Sequence, residues 1–319
     1  MTLSSAEYVS FLETEYLSDF IRSGGSGVKF AVADDGDALR GALRSAALAG
    51  GYAVASVDAR DVRVHLIDKV FHDVARQIDW NAGAIVFVQR AFRSLGFEVP
   101  ENTSDLTLER IAAINGFDQN ELRLEFQRTL QSEILRDFEM SQEFRRAMIR
   151  ICQAQVDRSD HAQADKEAVL SWLRGELRLI SALRQASIFQ KVARHNARDL
   201  LFSLARWLVK TGHSGLVLDL DIRRCAVSGR PAEGSGVYYS KAACLDAYEV
   251  LRQLIDATDE LSSCFVLVTT APETLTDPRR GIEHSYPALK MRIWNEVRDR
   301  HRPNPFAALI RLDAAGSVS

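Results

Sequence analysis

A strand that runs into a Gly-containing turn and then a helix can cradle the phosphates of a nucleotide. Backbone N–H groups, a Lys and a Ser/Thr that ligates Mg²⁺ do the work. Residues 28–40 have that outline: Val28-Lys29-Phe30-Ala31-Val32 leads into Ala33-Asp34-Asp35-Gly36-Asp37-Ala38-Leu39-Arg40. Against the pattern G-x-x-G-x-G-K-[ST], Gly36 alone survives. Ala33 and Ala38 hold the first and third Gly positions, Leu39 the Lys position and Arg40 the Ser/Thr position. Asp34, Asp35 and Asp37 stand where polyphosphate would lie, and like charges repel while the lost Lys removes the main compensating cation. ATP binding in the usual pose is therefore expected to be severely weakened. The same residues also read as a polar turn before a helix, with Asp37 as its N-cap.

A second run, Leu216-Val217-Leu218-Asp219-Leu220-Asp221, is apolar and ends in acid, which is how a Walker B strand presents an Asp to Mg²⁺. Asp221 is thus a candidate metal ligand. The residue after it is Ile222, whose side chain has no lone pair with which to orient water, where a hydrolytic enzyme commonly carries Glu. The alternative is a strand whose acidic end pairs with Arg223 or Arg224. Asp219 and Asp221, two apart on a strand, share a face, so a weak paired-carboxylate site is a further option. A third run, Cys264-Phe265-Val266-Leu267-Val268-Thr269-Thr270, ends in hydroxyls, and Thr270 is the candidate γ-phosphate sensor.

The elements that must position these groups are legible. Five apolar runs rich in Val, Ile, Leu or Phe are bounded by Gly, Asp, Ser or Pro: Val28 to Ala33, Ala53 to Ala59, Gly215 to Asp221, Ser263 to Thr270 and Ala307 to Leu312. Helix-periodic segments separate them, which implies an α/β fold with a five-stranded, mostly parallel sheet covered on both faces. Helices are expected at Asp37 to Ala49, ended by Gly50-Gly51, at Val62 to Ile78 and at Ala82 to Leu95. From Glu101 to Lys210 no strand is convincing, and Leu, Phe, Ile and Trp recur at three- and four-residue spacing. The expected organisation is residues 1–100 as the first part of the core, 101–200 as a helical insertion jointed near Asp157 to Asp165, and 201–319 as the second part. A helix from Ile188 to Lys210 is expected to lead into the third strand.

The 319 residues, 46% hydrophobic and 26% charged with a net charge of −3, are those of a soluble globular protein. No apolar run is long enough to span a membrane, and the first residues lack the basic and apolar regions of a signal peptide, so a cytoplasmic location is expected. Cys152, Cys225, Cys244 and Cys264 show no metal-ligand spacing and are expected as reduced, buried thiols.

The runs GGSGVKFAVADDG, ARDLLFSLARWLVKTGHSGLVLDLD, TTAPETLTDPRRGIEHSYPALKMRIW and NPFAALIRLD resemble the AAA+-like ATP-binding proteins of bacteriophage-exclusion (BREX) and related bacterial defence loci. The resemblance covers nearly the whole chain and is most specific in Asp277-Pro278-Arg279-Arg280-Gly281 with Tyr286-Pro287-Ala288-Leu289. It implies a P-loop core, nucleotide bound between subunits and a defence role alongside other proteins of the locus. The chain departs from the family pattern at Leu39, Arg40 and Ile222. An Arg after the fourth strand of such an assembly can reach a neighbour's ATP, which makes Arg279 and Arg280 trans-acting candidates. As isolated residues they read instead as a surface pair bonded to Glu283 or Asp277.

In the helical segment, Arg145, Arg146 and Arg150 cluster within about one turn. They are nucleic-acid candidates, set against an ion-paired, solvated face. No G-x-S-x-G elbow supports a Ser hydrolase, and Asp219 with Asp221 alone does not build a nuclease site. The leading expectation is a non-hydrolysing, ATPase-fold subunit of an antiphage defence complex that needs no cofactor. It would assemble with copies of itself or with an active ATPase paralogue. One alternative is an active ATPase in which Asp221 holds Mg²⁺ and Arg40 or Arg44 replaces the Lys, with ATP and Mg²⁺ as cofactors. The other is a nucleotide-independent adaptor that binds DNA.

Overall fold

The computed structural model describes residues 3–33, 35–230, 232, 236–294 and 304–313. The chain divides into two compact units, residues 1–74 with 213–319, and residues 75–212.

The first unit is built on one parallel sheet. Its strands are β1 (Leu3–Ser4), β2 (Ser26–Ala33), β3 (Ala53–Asp58), β4 (Leu216–Asp221), β5 (Cys264–Thr270) and β6 (Leu309–Asp313), in the spatial order β1-β6-β2-β5-β4-β3. All five expected strands are present, but the sheet has six rather than five. The extra strand β1 is two residues on the edge, with Leu3 opposite Leu312 and Ser4 opposite Asp313. Two residues are too short to display the alternation by which a strand is read from sequence.

Register then puts the chemistry in rows. Asp58 lies opposite Asp221, Ser56 opposite Asp219, and Asp221 opposite Thr269. In-register residues of parallel strands point to the same face, so these polar groups join Ala31, Val217, Phe265 and Leu267 on one side of the sheet. Helix α1 (Ser5–Leu12) and helix α2 (Gly36–Ala49) cover that side through Tyr8, Leu12, Leu39, Leu43 and Ala47. The other row, with Phe30, Val32, Leu218, Leu220, Val266 and Val268, is also buried. Both faces are covered, as a parallel sheet requires.

Lys29 is an exception in the middle of β2. Its side chain is buried, donates from Nζ to the carbonyls of Phe306 and Ala307 at 2.6 and 3.0 Å, and lies 5.0 Å from the Tyr16 ring centroid. Burial lowers its pKa from 10.5 to about 8. Between those values the unfolded chain holds a proton that the folded chain has released, so this group adds stability as pH rises. The melting midpoint of the wild type is expected to gain on that of Lys29→Met between about pH 8 and 10.5. Thermal scans in which the gap between the two proteins stays constant with pH would refute this.

The second unit contains no strand among its described residues. After α3 (Ile67–Gln77), which crosses the boundary, come α4 (Trp80–Ser94), α5 (Leu108–Asn115), α6 (Gln119–Leu130), α7 (Gln142–Val156), α8 (Asp160–Arg174) and α9 (Ala197–Lys210). Asp79, Thr107, Asp118, Ser141 and Ser159 each accept a first-turn N–H, and Gly116 and Gly175 close their helices in the left-handed conformation. The break at residues 157–159 falls where the polar joint was expected. Trp80, Trp172 and Trp207 are fully buried in this unit.

The helix expected from Ile188 begins only at Ala197. Asn196 accepts from the Ala193 N–H at 2.8 Å and donates to the Lys191 carbonyl at 3.0 Å. Its amide competes for the backbone bonds that an earlier helix start would need.

All four cysteines are buried and free. Burial pushes the Cys264 thiol up to about 12.

Candidate functional site

Helix α2 starts at Gly36, and its N-cap is Asp35, which accepts from the Ala38 N–H at 2.9 Å. The cap is therefore two residues earlier than Asp37, the residue expected to fill it. Asp37 is instead an exposed first-turn residue, free to meet a cation from elsewhere. Asp34 lies outside the described residues.

From that start, helical periodicity fixes two consecutive side chains. Leu39, Leu43 and Ala47 recur every four residues and are all buried in the face that packs on the sheet. The position where a P-loop carries its Lys thus points into the apolar core. The next residue, Arg40, leaves the stripe and reaches across to β4. Its Nε donates to Asp219 Oδ2 at 2.7 Å and its Nη1 to Asp221 Oδ2 at 3.0 Å. One guanidinium spans both carboxylates because Asp219 and Asp221 share a face, as their spacing required.

Arg223 closes on Asp221 from the other side. Its backbone N–H and Nε donate to Asp221 Oδ1 at 2.9 and 3.1 Å, and its Nη2 donates to Asp221 Oδ2 at 2.6 Å and Asp37 Oδ1 at 2.5 Å. Asp58 is held by Arg60, at 2.9 Å from Nε and 2.7 Å from Nη2, and lies 4.0 Å from Arg40. Four carboxylates from the ends of β3 and β4 and the start of α2 are thus interleaved with three guanidiniums. Bonds from Arg223 hold Asp37 below the usual carboxylate range. Burial pushes Asp58 up, but its bonds to Arg60 outweigh this and leave it lowered. Asp219 goes the other way: burial raises it, although Arg40 and Ser56 pull it down.

The same arginine occupies the turn. A Cβ on Gly36 would lie 2.8 Å from Arg223 Nη1 and 2.9 Å from Thr269 Cγ2, so the backbone of the Gly-containing turn is already in contact with a guanidinium. Thr269, in register with Asp221, is the hydroxyl residue on this face. The expected sensor, Thr270, faces the opposite side, because successive residues of a strand alternate. Both hydroxyls are buried and have no partner among the described residues. Ile222 is fully buried, which removes it from any role at the solvent-facing side of the site.

Mg-ATP in the P-loop pose does not fit these residues. Both oxygens of Asp221 already accept from arginine, and the Lys position is in the core. A divalent ion about 4 Å from a guanidinium is repelled by roughly 8 kcal/mol at an effective dielectric of about 20. Arg44 is exposed on α2 and joins no pair in the site among the described residues. Among the described residues, no three His, Cys, Asp or Glu side chains form a metal-binding group.

The remaining sequence candidates lie elsewhere. Asp277 Oδ1 accepts the backbone N–H groups of Arg279 and Arg280 at 2.8 and 2.9 Å, rather than their guanidiniums. Arg280 Nη1 turns inward to the carbonyls of Val227 and Tyr239, both at 3.3 Å. Arg279 is exposed, and its guanidinium meets no partner among the described residues. Glu283 pairs with Lys290 instead. Arg145 is buried, donates to the Leu135 carbonyl and stacks on Phe138. Arg146 donates to the Ser187 carbonyl at 2.6 Å, and Arg150 to that of Gln185. All three tie neighbouring segments to α7, and they do not form one solvent-facing stripe.

Sequence reasoning missed Asp58, Arg60 and Thr269. Asp58 and Thr269 are ordinary strand-end residues until sheet register sets them beside Asp221, and Arg60 lies in the turn after β3, where it bonds Asp58. Arg223 was flagged only as the bland partner of Asp221, and that pairing is the one formed.

A single parallel sheet, with a Gly-containing turn and helix after β2 and an acid-tipped β4, defines a P-loop-like α/β protein in which arginines occupy the nucleotide end of the sheet. The chain belongs to the family described as BREX system ATP-binding protein BrxC/D, which matches residues 21–315. It is therefore a component of an antiphage defence system that operates with other proteins of its locus. No curated protein and no solved structure matches the chain. Among the described residues, no helix is long and apolar enough to cross a membrane.

Proposed function

We propose that this chain is a non-hydrolysing member of its family, a pseudo-ATPase subunit that scaffolds or regulates other proteins of the defence locus. The observation that carries this reading is the double capture of Asp221 by Arg40 and Arg223. In a working site that carboxylate would be available to a Mg²⁺-bound phosphate. Here two internal cations neutralise it. Leu39 in the core and Ile222 in place of a water-orienting acid agree with the same conclusion.

Lost hydrolysis does not remove a role at a neighbour's site. Arg279, exposed and with no guanidinium partner among the described residues, remains available to reach across a subunit contact, whereas Arg280 is bonded to the carbonyls of Val227 and Tyr239. An active ATPase with an atypical loop is the weaker alternative, because Arg40, the cation it would recruit, already serves Asp219 and Asp221.

Titration calorimetry with ATP, with and without Mg²⁺, tests the proposal together with a phosphate-release assay. The expected result is no Mg²⁺-dependent component of binding and no turnover. Binding that requires Mg²⁺ and is lost in Asp221→Asn would overturn it.

A further inference from the structure

Beside the Arg–Asp network, the first unit carries an open cleft of about 740 Å³, walled by the segment after β3 and by the segment leading into α10 (Lys241–Asp256). Among the described residues, its lining includes Arg60, Arg63, His65 and Tyr238, against a single acid, Asp61. The volume lies within the roughly 300–1,000 Å³ range of ligand sites. The ATPase-fold reading makes no use of it.

Four observations give this cleft a definite chemistry. The walls are stapled together: the Val237 N–H donates to the Arg60 carbonyl at 2.7 Å, and the buried Tyr239 hydroxyl donates to the Val62 carbonyl at 2.6 Å while accepting from the Val64 N–H at 3.1 Å. Gly236 permits this approach. Its φ is +109°, and a Cβ there would sit 2.8 Å from the Arg60 carbonyl oxygen. The cations are partly pre-set, since two bonds that Arg60 donates to Asp58 anchor it, while the Arg63 guanidinium is exposed with no partner among the described residues. Finally, Tyr238 is 39% exposed, with the Arg230 guanidinium 5.7 Å from its ring centroid.

We infer that this cleft binds single-stranded nucleic acid, with Arg63 and Arg60 contacting phosphates and Tyr238 offering a face to a base. Rigid walls reduce the ordering cost of binding. Cations that track a backbone beside an aromatic platform are the general device for single strands. An acidic peptide would use the cations but leave the tyrosine face unexplained. The cleft opens to the surface, so it can admit part of a longer strand.

Fluorescence anisotropy with a labelled oligothymidine of about fifteen nucleotides, in EDTA, tests the inference. Tyr238→Ala and Arg63→Ala are each expected to weaken binding by about fivefold or more, the lower end of the range for lost base stacking. Arg63→Ala should also reduce the slope of log Kd against log salt by about one. Arg178→Ala, an exposed arginine of the helical unit, is the control and should bind as wild type does. Circular dichroism checks that each variant is folded. No binding by the wild type would overturn the inference, as would identical affinity in all four proteins or competition by free AMP as effective as by the oligonucleotide. The EDTA removes any Mg²⁺-dependent event at Asp221, so this result stands apart from the ATP titration.

Discussion

Asp221→Ala is expected to lower the melting midpoint of the protein by on the order of 10 °C. The substitution leaves Arg40 with Asp219 and Arg223 with the exposed Asp37, and strips each of a buried partner they share. Breaking a buried ion pair by removing one side typically costs about 3–5 kcal/mol, because the remaining charge stays desolvated. For a unit of this size each kcal/mol moves the midpoint by about 2–4 °C. The sign distinguishes two kinds of site. A carboxylate reserved for a metal sits in unrelieved repulsion with its neighbours, so removing it from the free protein is neutral or stabilising. A carboxylate that is half of a structural network is missed as soon as it is gone. Scanning calorimetry of the wild type and Asp221→Ala without nucleotide decides between them. An unchanged or raised midpoint would mean that Asp221 is not structurally committed to the two arginines, and the pseudo-ATPase reading would lose its main support.

Five of the six strands, and the helices expected at 37–49, 62–78 and 82–95, were legible because apolar periodicity is a local signal. The site was legible in part. Gly36, Arg40 and Asp221 could be named from motif positions, and the sharing of a face by Asp219 and Asp221 follows from two-residue alternation alone. What could not be read is which residues of different strands lie level with one another. Asp58 reaches Asp221 only through the parallel register of β3 with β4, and Thr269 rather than Thr270 reaches it only through that of β4 with β5. The cap was misplaced for a similar reason. Asp35 and Asp37 are both good caps, and the choice depends on where the preceding strand releases the chain. In the helical unit the arginines of α7 looked like a surface patch because sequence shows charge but not the carbonyls that use it. Arg145 is buried over Phe138 despite belonging to a residue type that is rarely inside.

Leu39→Lys, the substitution that restores the most conspicuous missing residue of the motif, is expected to unfold the protein rather than to revive nucleotide binding. Leu39 is fully buried in the cluster formed with Tyr8, Leu12, Leu43 and Val217. Removing a core Leu costs about 2–5 kcal/mol, and the ammonium that replaces it must be buried unpaired or drag the helix outward. The combined penalty is comparable with the whole stability of a domain, about 5–15 kcal/mol. Leu39→Met, which keeps apolar character and approximate volume, should cost less than about 1.5 kcal/mol. Urea unfolding of the two variants beside the wild type gives the comparison. Leu39→Lys should be largely unfolded or show a midpoint far below the others, whereas Leu39→Met should nearly match the wild type. A stable Leu39→Lys protein that gains Mg-ATP binding would place position 39 at the phosphate cradle instead of in the core. Such a result would also require Arg40 to leave Asp219, because residue 40 lies about 100° further round the helix than residue 39, and a rotation of α2 that swings residue 39 outward turns residue 40 through the same angle. The missing lysine is therefore tied to the arginine that took its neighbour's place, and the two cannot be restored one at a time.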